Sequence, residues 1–186
     1  MRLHQQLEKK IVAFSGAHGT GKTTAVYGTA HGLKLLHKSK EVGIVAETAR
    51  ACPLGCLSDG RQLITAVSQR WIFAAQVVAE LDAAARFDLV VSDRTVMDAI
   101  AYTVVGGFAD LADGMLRIAR QHAEVYREIH FMPVSDNGFL TRDGVRDVNR
   151  EAQLRVEEAL LEIYRALGLE SRLIFPPVSG EGRVFS

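Results

Sequence analysis

Only two cysteines occur among the 186 residues, Cys52 and Cys56 in the stretch ACPLGC. Two thiols do not complete a four-ligand zinc site, and His37 and His122 stand at no ligand spacing from them. They read as reduced thiols in a loop of a cytoplasmic protein. Charge of one sign is also missing: Lys plus Arg and Asp plus Glu both number 22, giving a formal net charge of zero. Proteins that track a nucleic-acid duplex are usually basic, so a broad surface of that kind is disfavoured and only a local basic cleft remains open. No apolar run is long enough to span a bilayer, and the opening MRLHQQLEKK is too polar for a signal peptide, which predicts no membrane partner. Repeats, low-complexity tracts and dividing linkers are absent too. The chain therefore reads as one domain, 1–186, large enough to bury a core without staples.

What is present is an alternation of short β-rich runs with longer helical stretches, the pattern of a parallel sheet wrapped by helices. Strands are expected at IVAFSG (11–16), EVGIVAE (41–47), FDLVVSD (87–93), EIHFMPV (128–134) and RLIFPP (172–177). Helices are expected near 22–36, 61–85, 95–105, 108–124 and 149–167. In the second of these, Ile64, Val67, Trp71, Ala74, Val78 and Leu81 recur every three or four residues and predict one buried face. In the last, Leu154, Val156, Leu160, Leu161 and Tyr164 are expected to point inward.

The most specific signal is GAHGTGKTT, Gly16 to Thr24, directly after the first apolar run. Gly16, Gly21, Lys22 and Thr23 satisfy the spacing of the phosphate-cradling loop. Backbone amides converge on an anion only where no side chain blocks the approach, and the following helix N-terminus adds its positive end. Gly16, Ala17, His18, Gly19, Thr20 and Gly21 are thus expected to wrap a nucleotide triphosphate. Lys22 is its cation and Thr23 a magnesium ligand, while Thr24 is set more towards helix packing.

Three further constellations follow. LVVSDRT places Asp93 at the carboxyl end of an apolar strand, where open α/β sheets bind ligands. Asp93 reads as a metal ligand beside Thr23, as a helix N-cap or, as an alternative to Glu47, as the acceptor of the substrate proton, and Arg94 as a contact to a transferred or accepting phosphate. EVGIVAETAR places Glu47 in the same crevice as a candidate general base, with a carboxylate at a helix N-terminus as the plainer reading. Arg50 either binds substrate or pairs with Glu47. Finally, Arg142, Asp143, Gly144 and Arg146 sit in a turn-rich segment that reads as a lid, about 135–148, whose arginines would neutralise developing charge and exclude water.

The order of phosphate loop, ETAR, SDR and DGVR resembles the P-loop kinase family typified by the nicotinamide-riboside kinase type of AAA domain, over most of the chain from Ile11 to about Leu167. That resemblance implies an α/β P-loop NTPase three-layer sandwich, with a five-stranded parallel sheet in the order 2-3-1-4-5. RWIFAAQ (70–76) followed by SDRTVMDAIAY is also similar to the deoxynucleoside kinases. This second likeness implies substrate contacts from Arg70, Trp71 and Gln76, with Gln76 reading the acceptor base, Glu47 deprotonating a hydroxyl and Arg94 stabilising charge. The chain departs from that family in having Asp93 for a Glu and no Pro after Glu47, which leaves the substrate open. On the residues alone, Trp71 and Phe73 are core or pocket wall and Gln76 an exposed helix position.

Together these features lead to an ATP- and Mg2+-dependent kinase acting on a hydroxyl of a nucleoside-like acceptor, with a homodimer a possible assembly. Three alternatives stand beside it. One is transfer to a hydroxymethylated pyrimidine in DNA, with Arg61 and Arg70 lining a local groove. Another is a nucleoside monophosphate acceptor, and the third an ATPase or regulator with no acceptor. The absence of a guanine-reading Asn-Lys-x-Asp stretch favours ATP.

Overall fold

The computed structural model of the protein describes residues 10–54, 64–134 and 150–176. Five strands form one parallel sheet: β1 (Ile11–Ser15), β2 (Val42–Val45), β3 (Leu89–Asp93), β4 (Tyr126–Phe131) and β5 (Leu173–Ile174), in the order β2-β3-β1-β4-β5. The helices are α1 (Lys22–Leu36), α2 (Ala66–Arg86), α3 (Val96–Val105), α4 (Ala109–His122) and α5 (Arg150–Ala166). This is the sheet order and three-layer arrangement that the motifs imply.

The alternation of side chains along a strand decides which helices lie on which face. Val12 and Phe14 of β1 and Val91 of β3 pack with Val26 and Ala30 of α1. Ile11, Ala13 and Val90 face the other way, into a larger core with Phe73, Ile100, Met115, Leu160 and Tyr164 from α2 to α5. Both central strands are buried on both sides, so they read as continuous apolar runs.

Several boundaries differ from the sequence-based expectation. The helix expected from 61 begins at Ala66, because Thr65 caps it: the Thr65 hydroxyl accepts from the Ser68 amide, and Ser68 Oγ accepts from the Thr65 amide. The fourth strand starts at Tyr126 and ends at Phe131, and the fifth is only two residues long. The lid with Arg142 and Arg146, together with Cys56 and Arg61, lies outside the described residues. Cys52 is buried, its thiol 3.3 Å from the Leu54 carbonyl.

The predicted buried stripe of α2 is corrected. Val67 and Val78 are 55% and 66% exposed, and the inward face is Ser68, Gln69, Ile72, Phe73, Gln76, Glu80, Ala83 and Ala84. Four polar residues on that face, Ser68, Gln69, Gln76 and Glu80, hide it from a search for apolar spacing. In α5, Leu154 is exposed whereas Gln153 is buried, an inversion of the same kind. Among the described residues, no helix is long and apolar enough to cross a membrane.

Candidate functional site

The bend between β1 and α1 turns on glycines. Gly16 adopts φ +146° and Gly21 φ +83°, both in the region where side chains are strained. At Gly16 a Cβ would stand 2.4 Å from the Met132 carbonyl oxygen, a backbone atom at the exit of β4. Gly16→Ala is therefore expected to destabilise the protein by about 2–5 kcal/mol, through strain and overpacking, and to weaken nucleotide binding. Thermal melting with and without Mg-ADP checks both effects.

Beyond the bend, α1 starts without a side-chain cap and without an acidic residue in its first turn. Its leading amides and positive dipole end are thus left for an anion. Lys22 is 5% exposed, and its Nζ turns onto the loop itself, donating to the Ala17 carbonyl at 2.5 Å and to Thr20 Oγ1 at 3.1 Å. Burial, reinforced by the nearby Arg94 charge, pulls the Lys22 ammonium down from 10.5 to about 7.

Opposite the loop stand the ends of β2 and β3. Thr23 Oγ1 donates to Asp93 Oδ2 at 2.7 Å. Two hard oxygens this close, at the phosphate end of a cleft, suit a magnesium ion that takes its other ligands from phosphate and water. Among the described residues no group of three or more His, Cys, Asp or Glu could hold a metal ion. Burial raises the Asp93 carboxyl above its ordinary value, although the Thr23 hydrogen bond works against this.

Glu47 behaves in the opposite way. Burial pushes its carboxyl up, but Arg94 and then Arg50 more than reverse this, to about 2. Arg94 Nε and Nη2 both lie 2.8 Å from Glu47 Oε1, and Arg50 Nε donates to Oε2 at 2.6 Å. Arg94 lines the cleft, yet its guanidinium is committed to the protein. Nη1 reaches the Gly16 carbonyl and Asp98 Oδ1, both at 3.3 Å, and the group lies 5.4 Å from the centre of the Tyr102 ring. Burial alone would lower the Arg94 pKa; Glu47, Tyr102 and Asp98 instead lift it well above its ordinary value.

The structure thus brings Gly19 to Thr24, Glu47, Arg50, Asp93, Arg94 and Met132 around one cleft of about 430 Å³. Thr24 belongs to its wall and is exposed, not packed under the helix. Gly16 fastens the loop from behind, and Ala17 is buried. His18 turns away from the cleft: its amide donates to the Tyr102 hydroxyl at 3.1 Å and its carbonyl accepts from Gln153 at 2.7 Å. Arg70 is exposed on α2, with its Nε 3.4 Å from the Ala66 carbonyl, and Trp71 packs half-buried against the core. Neither lines the cleft. Gln76 is 1% exposed and hydrogen-bonded to protein through both amide atoms, so neither its exposure nor a free base-reading edge is found.

Asp98 and Tyr102 are the residues that sequence reasoning missed. Asp98 is fully buried; its Oδ1 accepts from the Gly16 amide at 3.2 Å, and its Oδ2 caps α3 by accepting from Thr95 N at 2.9 Å. The signal was available in part, since Asp98 and Tyr102 stand four residues apart and share one face of α3.

A family model described as AAA domain matches residues 11–183. No curated protein matches. Among solved structures, a thymidylate kinase from Ehrlichia chaffeensis is similar at 17% identity and a TM-score of 0.63, covering 91% of this chain and 93% of that one. A deoxyadenosine kinase from M. mycoides follows at 16% identity and 0.62, with 89% of each chain covered. The NadR protein, solved in complex with NR, is similar at 19% and 0.63, where 95% of this chain spans 46% of the other. These likenesses extend to the fold.

Proposed function

The chain belongs to the AAA-domain family, and from that premise we propose that it transfers the γ-phosphoryl group of ATP to a hydroxyl of a nucleoside-like acceptor. One observation carries this reading. An uncapped helix end, the buried Lys22, the Thr23–Asp93 pair and the carboxylate Glu47 all meet in a single cleft. A nucleotide switch needs the first three; Glu47, beside them, is what an acceptor hydroxyl requires. The name of the deoxyadenosine kinase points to an acceptor of this class, and that of the thymidylate kinase to a nucleoside monophosphate.

In this mechanism the loop amides and Lys22 hold the triphosphate. Thr23 and Asp93 would hold the magnesium ion, whose positive charge neutralises the phosphate oxygens as the bond to the leaving group lengthens. Glu47 stays ionised at any working pH, so it orients the acceptor hydroxyl and takes up its proton late, as the loose transition state of phosphoryl transfer allows. Arg94 fixes Glu47 and the start of the loop, and adds its charge to the field at the phosphates. Arg142 and Arg146 are assigned to closing the cleft over the reacting groups.

A second acceptor class is favoured by one feature. The Arg50 side chain is 59% exposed at the mouth of the cleft, where a phosphate on the acceptor would meet it. A screen with radiolabelled ATP separates the readings. Nucleosides or nucleoside monophosphates are expected to raise turnover by at least about 10²-fold, in line with the worth of a positioned acceptor. Label appearing on hydroxymethylated DNA, or slow hydrolysis indifferent to every acceptor, would replace this reading with one of its alternatives.

A further inference from the structure

The β2–β3 ladder ends at Val45 opposite Ser92, so Glu47 and Arg94 both lie beyond the last paired residues. The Arg94 amide donates to the Phe14 carbonyl of β1 at 2.9 Å, but no ladder bond ties the Glu47 turn to that corner. Arg94 also sits at φ +88°, a left-handed conformation that a side chain adopts only where its surroundings impose it. We propose that Gln76, buried between them on α2, is a positioning residue that ties the Glu47 turn to the Arg94 corner and so sets the ion pair in the cleft.

Counting protons makes the connection directional. Thr48, the residue after Glu47, donates its hydroxyl to Gln76 Oε1 at 2.8 Å. The Gln76 amide nitrogen has two protons and three acceptors in reach: Glu80 Oε1 at 2.9 Å, Ser92 Oγ at 3.1 Å and the Arg94 carbonyl at 3.4 Å. Reversing the amide would set its oxygen against a carboxylate and a carbonyl, so the orientation is fixed by chemistry. Ser92 has one proton, and the Arg94 carbonyl at 2.8 Å is its nearest acceptor. With that donation the chain of donors runs from Thr48 through Gln76 and Ser92 to Arg94, while Glu80 Oε1, 3.0 Å from Ser92 Oγ, is the other acceptor in reach.

Glu80 makes this link stiff. It is fully buried, and its second oxygen lies 2.6 Å from both His122 Nε2 and the Tyr126 hydroxyl. Tyr126 in turn accepts from the Val96 amide at the start of α3. A carboxylate held from both sides cannot follow Gln76 if the amide moves, so Gln76 has one position.

The experiment uses the full chain and two variants, Gln76→Met and the milder Thr48→Val at a half-buried site. The Arg94 Nε–H resonance reports the Glu47 contact without any reference to activity. Both variants are expected to melt cooperatively and bind Mg-ADP, yet exchange that proton with water faster than the wild type. As far as catalysis is concerned the inference rests on the phosphotransferase reading. There, kcat is expected to fall roughly 10–10²-fold on every acceptor while their ranking stays unchanged. A resonance as protected as in the wild type, or an altered ranking of acceptor bases, would overturn the inference. Should Gln76→Met not fold, Thr48→Val decides by the same measures. If wild-type protein shows no acceptor-dependent turnover while the resonance responds, the phosphotransferase reading falls and this one stands.

Discussion

Lys22→Ala is expected to reduce acceptor-dependent phosphoryl transfer by about 10³-fold or more, the scale of losing a preorganised charge at the reacting group. The reason lies in how the lysine is stored. Its ammonium is buried against Ala17 and Thr20; burial and the Arg94 charge draw it down to about 7, and the opposite charge of Asp98, Glu47 and Asp93 does not make this good. A bound triphosphate adds to that opposite charge, so binding above pH 7 should take up to about one proton. Calorimetry of ADP binding in two buffers of different ionisation enthalpy measures the uptake, and Lys22→Ala should show none. The sign for stability follows. Between about 7 and the ordinary 10.5 the unfolded chain holds a proton that the folded one has released. Without nucleotide, stability therefore rises with pH across that window; below it the cost of burying the charge is paid in full. Unchanged turnover in Lys22→Ala would remove the lysine from the mechanism.

The second large effect belongs to Arg94→Met. Glu47 and Asp98 both depend on this guanidinium, and removing it leaves buried Asp98 without its cation and Glu47 to the exposed Arg50. The expected loss is about 3–5 kcal/mol, which for a chain of this size lowers the melting temperature by roughly 10 °C. Acid should narrow the deficit. In the wild type, Glu47 is held at about 2, so its contribution to stability is complete above the ordinary 4.5 and is lost as pH falls towards 2. In the variant the lowering by Arg94 is gone and only Arg50 still opposes burial, so the same carboxyl titrates closer to its unfolded value and less stability is lost as pH falls. Urea midpoints at about pH 7 and about pH 4 should show a smaller gap between the two proteins at the lower pH. A constant gap would mean that Arg94 acts through packing alone.

Much of the fold was legible because its signals are local. The bend from Gly16 to Thr23 is written in consecutive residues, and the apolar runs of β1 and β3 follow from burial on both faces. The α2 face was misread because its buried side carries Gln76 and Glu80, whose burial is compensated by partners distant in sequence. No periodicity records that Tyr126 and His122 will be waiting for Glu80. Asp98 illustrates a middle case: its spacing from Tyr102 was visible, but its grip on the Gly16 amide depends on β1 and β3 lying side by side. Arg70 and Gln76 were assigned by likeness to another family's helix. The angle at which α2 meets the sheet, which decides what those residues face, is not a property of the segment.

The double grip on Glu47 has a consequence for the idle protein. With Oε1 occupied by Arg94 and Oε2 by Arg50, the carboxylate has little appetite for water's proton. On the proposed reading, a stray solvent molecule that wanders in beside the triphosphate finds no partner to sharpen it for attack. On that reading the two ion pairs hold wasteful cleavage down while no acceptor is bound.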